Sequence, residues 1–375
     1  MKKHFITLLS ATALGLSATS HAYDALTMKH AFQAPIRASV VITRPSSSAL
    51  TLETTPPRKT VFLMNIPLTA EQKHRLQMFP ETTMTNENND GEENDYFYPR
   101  HVELGMNNVP VLDQGMHGTC VTFSTTGAFD ALMEKGDYIS QLCSLSIGSY
   151  LETRSYQPSG WDGSFGSIVL SRLRDFGIVS IENQTTRSCG GLTYYPLNDE
   201  KNTGSPMTLD EYSQMSEDLN FDYYWYSIIT PEQRFTWGNE KSESNNLLKQ
   251  VKELLASKNA KSLLRLSFGA LLPVSHCSAG ACASYHKTDD TWAITQAIKH
   301  DQNPEYGGHE MIITGYNDDA TAMDNEGHRH RGLLILRNSW GETSGDKGDY
   351  YMTYDFFKHY VLEVQMVGKY TNYNS

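Results

Sequence analysis

The sequence predicts an α+β fold in which helices dominate the first part of the folded body and strands the last part. Apolar residues recur at helical spacing over residues 119–135 and 166–176, and a glycine follows each run, at Gly136 and Gly177. Residues 246–257 have the pattern of a further, amphipathic helix. Short apolar runs typical of strands lie at residues 262–268, 309–316, 332–337 and 349–354. Helices followed by strands indicate an α+β body of two lobes.

The composition supports a globular body and excludes two classes of partner. Of the 375 residues, 39% are hydrophobic and 11% aromatic, which is ample for a buried core. The formal net charge is −12, whereas nucleic acids and anionic membranes bind clusters of Lys and Arg. We therefore expect neither nucleic acid nor a membrane surface as the main partner.

The N-terminus has the pattern of a cleaved signal peptide. Lys2 and Lys3 precede an apolar run over residues 5–16, and residues 20–22 form a small-residue cleavage site. The apolar run is shorter than the roughly 20 residues that a spanning helix needs. We expect residues 1–22 to direct export, to the periplasm or outside the cell, and to be removed.

Export places the chain in an oxidising compartment, so its five cysteines are informative. An odd number of cysteines leaves one thiol unpaired. Cys277 and Cys282 flank a short loop and could close on each other, and Cys143 and Cys189 are then the natural second pair. Cys120 would be the free thiol.

Cys120 lies at the end of the motif Asp-Gln-Gly-Met-His-Gly-Thr-Cys and at the start of the first predicted helix. The partial positive charge and free N–H groups at a helix N-terminus favour the thiolate, which is the attacking form of cysteine. Gly115 and Gly118 allow a tight loop before the helix. A buried structural cysteine is the alternative, and the odd cysteine count and the motif argue against it.

Three side chains and a shielding tryptophan complete a candidate catalytic set. His309 opens an apolar run, and we expect it to take the thiol proton and return it to the leaving amine. Asn338 would orient the His309 ring, and Trp340 would cover that hydrogen bond from water. Gln114 lies six residues before Cys120, where its side-chain amide can help the Cys120 main-chain N–H to stabilise an oxyanion.

No metal or organic cofactor is expected. His309 and Glu310 begin a His-Glu-x-x-His zinc pattern, but residue 313 is Ile, so that interpretation fails. His328 and His330 lie in a polar loop, where solvated imidazoles are the ordinary state.

In order, these motifs resemble those of papain-like cysteine proteases, over roughly residues 96–360. The resemblance implies the papain-like two-lobe fold, with a helical lobe carrying Cys120 and a β-rich lobe carrying His309 and Asn338. It also implies peptide-bond hydrolysis through a thioester intermediate on Cys120, with proteins or peptides as substrates.

The segment at residues 160–164 resembles the family's glycine-rich segment on one side of the cleft. This resemblance makes Gly163 and Ser164 candidate substrate contacts, and Gly308 beside the candidate histidine gives a substrate room. The chain also departs from the family. His117 and Trp161 stand where the family usually has two disulfide-bonded cysteines, so both halves of that bridge are absent together.

The resemblance divides the chain into a signal peptide at 1–22, a propeptide at 23–95 and a catalytic domain at 96–375. Residues 23–95 are rich in Pro, Ser and Thr, contain one expected strand at 60–64, and end in a polar run at 86–95 that is typical of a flexible linker. A disordered tail is the alternative to an inhibitory propeptide. The propeptide is favoured because an exported protease has to be held inactive.

Residues 197–244 are polar, Tyr-rich and without clear period, and we interpret them as an insertion. They contain no His, which argues against an exopeptidase whose cleft is closed by histidines. A lid, a specificity loop and a plain surface excursion all remain open.

The expected function is that of a secreted cysteine endopeptidase made as an inactive zymogen, with its own propeptide as the inhibitor. Two alternatives belong to other classes. One is a non-catalytic protein that holds peptides in the same groove, and the other is a Cys-His transferase that makes amide bonds. Retention of all four candidate catalytic residues argues against the binding protein.

Overall fold

The computed structural model describes residues 32–43, 56–79, 98–219, 222–237 and 240–370. The predicted signal peptide at 1–22 and the predicted linker at 86–95 lie outside these residues. Within the described part of the chain, every helix is too short or too polar to cross a membrane.

The described residues contain both helices and strands throughout. The strands are β1 Gln33–Val41, β2 Arg58–Asn65, β3 His101–Glu103, β4 Ile178–Val179, β5 Ser216–Glu217, β6 Tyr223–Ile229, β7 Leu264–Pro273, β8 Ala283–Ser284, β9 Thr291–Trp292, β10 Tyr306–Asp324, β11 Arg329–Arg337, β12 Asp349–Thr353 and β13 Val361–Lys369. The helices are α1 Ala70–Gln77, α2 Cys120–Met133, α3 Gln141–Thr153, α4 Gly166–Phe176, α5 Ile181–Arg187, α6 Leu209–Ser213, α7 Pro231–Phe235, α8 Glu240–Ala256, α9 Ala260–Leu263, α10 Gln296–Lys299 and α11 Tyr354–Tyr360.

The predicted α+β class is confirmed, and the division into two lobes stays a prediction. Helix α2 begins at Cys120, and its residues are buried from that cysteine to Leu132. A helix that is apolar on most sides belongs in the interior, and α2 packs against β7 and β10. Helix α4 has the predicted bounds and ends at Gly177, whose φ of +76° suits glycine.

The main sheet places β7 between β10 and β13, with both neighbours antiparallel to it. His309 pairs with Ala270 of β7, and the next residue, Glu310, pairs with Gly269. Strand β10 begins at Tyr306, three residues before the histidine, so the candidate base lies inside a strand whose backbone is held by its neighbours.

Residues 197–244 contain more regular structure than their sequence indicated. They include α6, β5, β6 and α7, and β6 pairs antiparallel with β13 at the end of the main sheet. Partial burial on both faces of β6 explains why its residues show no clear alternation. Strand β13, which is buried along almost its whole length, was also not predicted.

The described part of the predicted propeptide is ordered and packs on the body, so the interpretation as a disordered tail is wrong for these residues. Strands β1 and β2 form an antiparallel pair, here called the β1–β2 pair, and β2 includes the predicted strand at 60–64. Strand β2 also pairs antiparallel with β10, where Met64 lies opposite Gly308. Helix α1 starts at a capping box of Thr69 and Gln72.

The disulfide pairing agrees with the sequence-based expectation. Cys143 is bonded to Cys189, and Cys277 to Cys282. Cys120 is the free cysteine, and it is buried.

Candidate active site

Cys120 lies at the first residue of α2 with its thiol fully buried. The main-chain N–H groups of Glu310, Val121 and Cys120 itself act to lower the pKa of the thiol. Despite these donors, burial raises the pKa of the Cys120 thiol to about 12. In the state that the structure describes, the candidate nucleophile is therefore protonated at neutral pH.

His309 and Asn338 are joined by a hydrogen bond of 2.7 Å between Nε2 and Oδ1. Because an amide oxygen only accepts, Nε2 carries the proton and the other ring nitrogen, Nδ1, is the basic one. Nδ1 is buried and, among the described residues, has no hydrogen-bond partner. Burial lowers the pKa of His309 to about 4, against the opposing effect of Asn338. The ring is thus neutral and has one lone pair available for a proton.

Trp340 covers this pair as the sequence predicted. Its ring stacks on the His309 ring with centroids 4.3 Å apart and planes inclined by 20°. Trp340 is 1% exposed and Asn338 is 2% exposed, so water is excluded from the hydrogen bond. The Oδ1 atom of Asn338 also accepts from the main-chain N–H of Ser339, which fixes the amide orientation.

The structure places the cysteine and the histidine on elements that pack together. Helix α2, which begins at Cys120, packs against β10, the strand that carries His309. The assembly of residues 120, 309 and 338 into one catalytic site stays a prediction.

Gln114 is hydrogen-bonded to Ser339, the residue that follows Asn338. Its Oε1 accepts a hydrogen bond of 2.8 Å from Ser339 Oγ, and its main-chain N–H donates to the Ser339 carbonyl. Its Nε2 donates to the carbonyl oxygens of His117, at 2.9 Å, and Phe62, at 3.2 Å. One amide hydrogen is thus directed at a peptide carbonyl of strand β2.

The β1–β2 pair lies over the residues predicted to contact substrate. A Cβ placed on Gly163 would lie 2.3 Å from the Phe32 ring, and one on Gly308 would lie 2.4 Å from the Ile66 side chain. Only glycine fits at these two positions beneath the strands. Ser164 is fully buried, and its hydroxyl makes a long contact of 3.5 Å with the Phe165 carbonyl.

Polar contacts anchor the pair on both sides of the site. Lys59 Nζ lies 2.6 Å from Asp113 Oδ2 and 3.0 Å from the Trp340 carbonyl. On the other strand, Arg37 pairs with Glu200 at 2.7 Å. The first anchor links β2 directly to the motif that precedes Cys120.

An aromatic cluster occupies the place of the absent disulfide. The rings of His117 and Trp161 lie 4.8 Å apart, and Tyr195 stacks on Trp161 with centroids 5.8 Å apart. Tyr195 Oη donates to the Gln114 carbonyl at 2.9 Å and also contacts Thr119 Oγ1. Tyr195 was not predicted, because nothing in the sequence distinguishes it from neighbouring tyrosines such as Tyr194.

The two histidines expected to be solvated are partly engaged. His330 Nε2 lies 2.9 Å from Asp324 Oδ2, and His328 Nδ1 lies 3.3 Å from the same oxygen. Asp324 Oδ1 accepts the amides of Glu326 and His328, and the Glu326 carboxylate accepts the first amides of α10. The Asp324 carboxylate thus stabilises a turn, and the Glu326 carboxylate stabilises the N-terminus of α10.

Comparison with known proteins matches part of the chain to a family. The model of the Peptidase C1-like family matches residues 286–374, the segment that carries His309 and Asn338. No curated protein sequence matches the chain.

Solved structures with a similar fold include two proteases. One is digestive procathepsin L 3 of Tenebrio molitor larval midgut, with 18% identity, a TM-score of 0.39, and coverage of 72% of this chain and 69% of that one. The other is xylellain, a cysteine protease from Xylella fastidiosa, with 15% identity, a TM-score of 0.43, and coverage of 73% and 87%.

Proposed function

We propose that residues 96–375 form a papain-like catalytic domain, and the match of residues 286–374 to the model of the Peptidase C1-like family supports this. The activity is hydrolysis of internal peptide bonds in proteins or peptides. The chain is exported through residues 1–22 and is held inactive by residues 23–95 until they are displaced.

The proposed reaction begins with proton transfer from the Cys120 thiol to Nδ1 of His309. The thiolate attacks the carbonyl carbon of the scissile bond, and the negative charge on the oxygen is stabilised by Gln114 Nε2 and the Cys120 main-chain N–H. His309 returns the proton to the leaving amine as the C–N bond breaks, which leaves a thioester on Cys120. Water, deprotonated by His309, then hydrolyses the thioester and restores the thiol.

Asn338 and Trp340 act through His309. The hydrogen bond from Nε2 to Asn338 keeps the basic nitrogen, Nδ1, free for the thiol proton. Trp340 keeps water from this hydrogen bond, which would otherwise compete for Asn338 Oδ1. Once the imidazolium forms, the same amide oxygen stabilises its charge.

One observation carries the proposal: a peptide carbonyl, that of Phe62, accepts a hydrogen bond from Gln114 Nε2, the donor that we assign to the oxyanion. The same contact supports inhibition, because a substrate carbonyl cannot take this position while β2 is there. Displacement of the β1–β2 pair frees Gly163 and Gly308 for substrate, with Ser164 beside them.

The test is hydrolysis of a denatured protein after limited cleavage within residues 86–95. We expect fragments with new free amino termini, and no fragments from the Cys120→Ala variant. Turnover by that variant would contradict the proposal. Binding of peptides without cleavage would favour the binding-protein alternative, and incorporation of an added amine into products would favour the transferase.

A further inference from the structure

Two buried carboxyl groups lie in one row of the main sheet, next to the candidate nucleophile. Glu310 of β10 and Glu363 of β13 both pair with Gly269 of β7, the strand between them. A Cβ placed on Gly269 would lie 2.8 Å from Glu310 Oε2 and 3.2 Å from Glu363 Cγ. Both glutamates are 0% exposed. The glycine leaves the space in which the two carboxyl groups face each other.

The partners of the two carboxyl groups differ in kind. Glu363 accepts N–H hydrogens from Gly166, at 3.0 Å, and from Gln365, at 2.8 Å. Glu310 Oε1 contacts a single hydroxyl, that of Ser267, and its Oε2 has no partner among the described residues. Amide donors stabilise a carboxylate, so the charge belongs on Glu363 and the proton on Glu310. Burial raises the pKa of both groups, and the charge of Glu363 raises the pKa of Glu310 further.

Glu310 is connected to the helix that carries the nucleophile. Ser267 Oγ, which contacts Glu310, also lies 2.8 Å from Ser124 Oγ, one helical turn after Cys120 in α2. Glu310 and Ser124 also line one small cavity beside α2. A charge on the Glu310 carboxylate therefore acts on the Cys120 thiol across a dry interior, and it disfavours the thiolate.

Three other charged or titratable groups lie near the pair. Cys120 of α2 lies near Glu310, and the charge of Glu232 in α7 acts on Glu363. Arg337 of β11 lines the same small cavity as Glu310 and is paired with Asp349. The residues of β7 beside the pair, Ser267 and Gly269, are uncharged, and α4 contributes only the main-chain N–H of Gly166. His309, the residue before Glu310 on β10, is a further titratable group beside the thiol in the proposed function, and it is unchanged in all the variants of the alkylation test below. In the described part of the chain, neither carboxylate forms an ion pair with Lys or Arg.

We propose that Glu310 is a positioning residue for Cys120: it holds a proton while the neighbouring Glu363 carries the charge, and loss of that proton at alkaline pH makes the thiol less reactive. The biological role of this effect rests on the proposed function, since a less reactive thiol at alkaline pH would confine the enzyme to acidic and neutral conditions. The effect of Glu310 on the Cys120 thiol itself does not depend on peptide hydrolysis.

The test measures how fast iodoacetamide alkylates Cys120 in the full chain between about pH 6 and pH 9, by intact mass. Cys120 is the one free cysteine, and reagent access depends on opening of the β1–β2 pair, a factor common to all variants. Glu310→Gln keeps the shape of the side chain without its charge. Glu182→Gln, at an exposed glutamate of α5, is the control for net charge.

We expect the ratio of the Glu310→Gln rate to the parent rate to be near one at about pH 6 and to reach at least about tenfold by about pH 9, equivalent to one pKa unit. Glu363→Gln removes the repulsion, so Glu310 loses its proton at lower pH and the rate falls below the parent's at neutral pH. Glu182→Gln should follow the parent. A pH-independent ratio for Glu310→Gln, or the same change in both variants, would overturn the inference.

A second measurement does not depend on thiol access. The infrared spectrum of the full chain at neutral pH should contain the C=O stretch of buried carboxylic acids. Glu310→Gln should weaken this band without removing it, because burial also raises the pKa of Asp130 to about 8. An unchanged band in Glu310→Gln would also overturn the inference. Neither readout needs peptide hydrolysis, so failure of the proposed function would appear separately, as unchanged proteins in the cleavage assay.

Discussion

The Phe62 carbonyl oxygen accepts a hydrogen bond from Gln114 Nε2 at a distance of 3.2 Å. Together with the pair of Lys59 and Asp113, this contact connects the β1–β2 pair to the loop before Cys120. Gln114 is the side chain proposed to stabilise the oxyanion, so a main-chain carbonyl of residues 23–95 occupies the proposed donor. If residues 23–95 inhibit the proposed enzyme, strand β2 is the element that would do so.

The ion pair between Lys59 and Asp113 should hold the β1–β2 pair closed. Both side chains are about one-quarter to one-third exposed, so after solvent screening the ion pair stabilises the closed position of the β1–β2 pair by about 1 kcal/mol. Lys59→Met should therefore increase the rate at which an epoxysuccinyl inhibitor labels Cys120 in the uncut chain by about fivefold. Arg37→Met, which breaks a more exposed pair on the other strand, is the control and should change the rate by less than about twofold. Equal effects would contradict this role for Lys59.

The buried ring of His309 should make the stability of the closed chain depend on acidity. Its pKa is lowered from 6.5 to about 4, so the unfolded chain binds a proton that the folded chain does not. Stability should then be lost as pH falls from about 6.5 to about 4, by up to about 3 kcal/mol. Urea unfolding at several pH values measures this loss.

The carboxyl groups of Glu310 and Glu363 work in the opposite direction. Their raised pKa values mean that the folded chain keeps protons that the unfolded chain loses, so their effect is a loss of stability as pH rises. The comparison is therefore made against His309→Gln, which leaves both carboxyls in place. The acid-side slope should be shallower in this variant, and parallel curves would contradict the prediction.

The two disulfides should differ in their contribution to stability. The Cys143–Cys189 bond joins residues separated by 46 positions, and the Cys277–Cys282 bond joins residues separated by 5. From loop entropy, removing the first by a double Ala substitution should lower the free energy of unfolding by about 4 kcal/mol, and removing the second by about 2 kcal/mol. Chemical denaturation measures both, and a larger loss for the short loop would refute the ordering.

Tyr195 should support Gln114 through its hydroxyl. Tyr195→Phe removes the hydrogen bond to the Gln114 carbonyl and should cost about 1 kcal/mol of stability, because that carbonyl loses a buried donor. The cleaved enzyme should also lose kcat, since Gln114 is held less firmly. Tyr194→Phe, at a neighbouring side chain that is 75% exposed, is the matched control and should change neither quantity. An unchanged kcat in Tyr195→Phe would limit the residue to a role in stability.

The parts of the site that sequence reasoning predicted are local in the chain. A glycine pair before His309, an Asn-Ser-Trp turn and a cysteine opening a helix can each be recognised within a few residues, because short-range geometry requires them. The resemblance to papain-like cysteine peptidases, found from these motifs, is confirmed by the family match over residues 286–374.

The parts that were missed depend on contacts between distant residues. Strand β1 has one partly buried face, so its apolar pattern is weak until β2 lies beside it. Strand β6 joins the sheet only through β13, at a distance of more than a hundred residues. Glu310 lies near Glu363 because β10 and β13 both pair with β7, and no pattern in the local sequence predicts this.

Intact mass after treatment with an epoxysuccinyl inhibitor, before and after cleavage within residues 86–95, tests the central claim most directly. A single adduct that forms after cleavage, is slow to form before it and is absent from Cys120→Ala is the predicted result. It would establish an active nucleophile in a latent precursor. Equal labelling of cut and uncut chains would contradict inhibition by residues 23–95. No adduct in either form, with Cys120 present as a free thiol, would contradict the proposed peptidase.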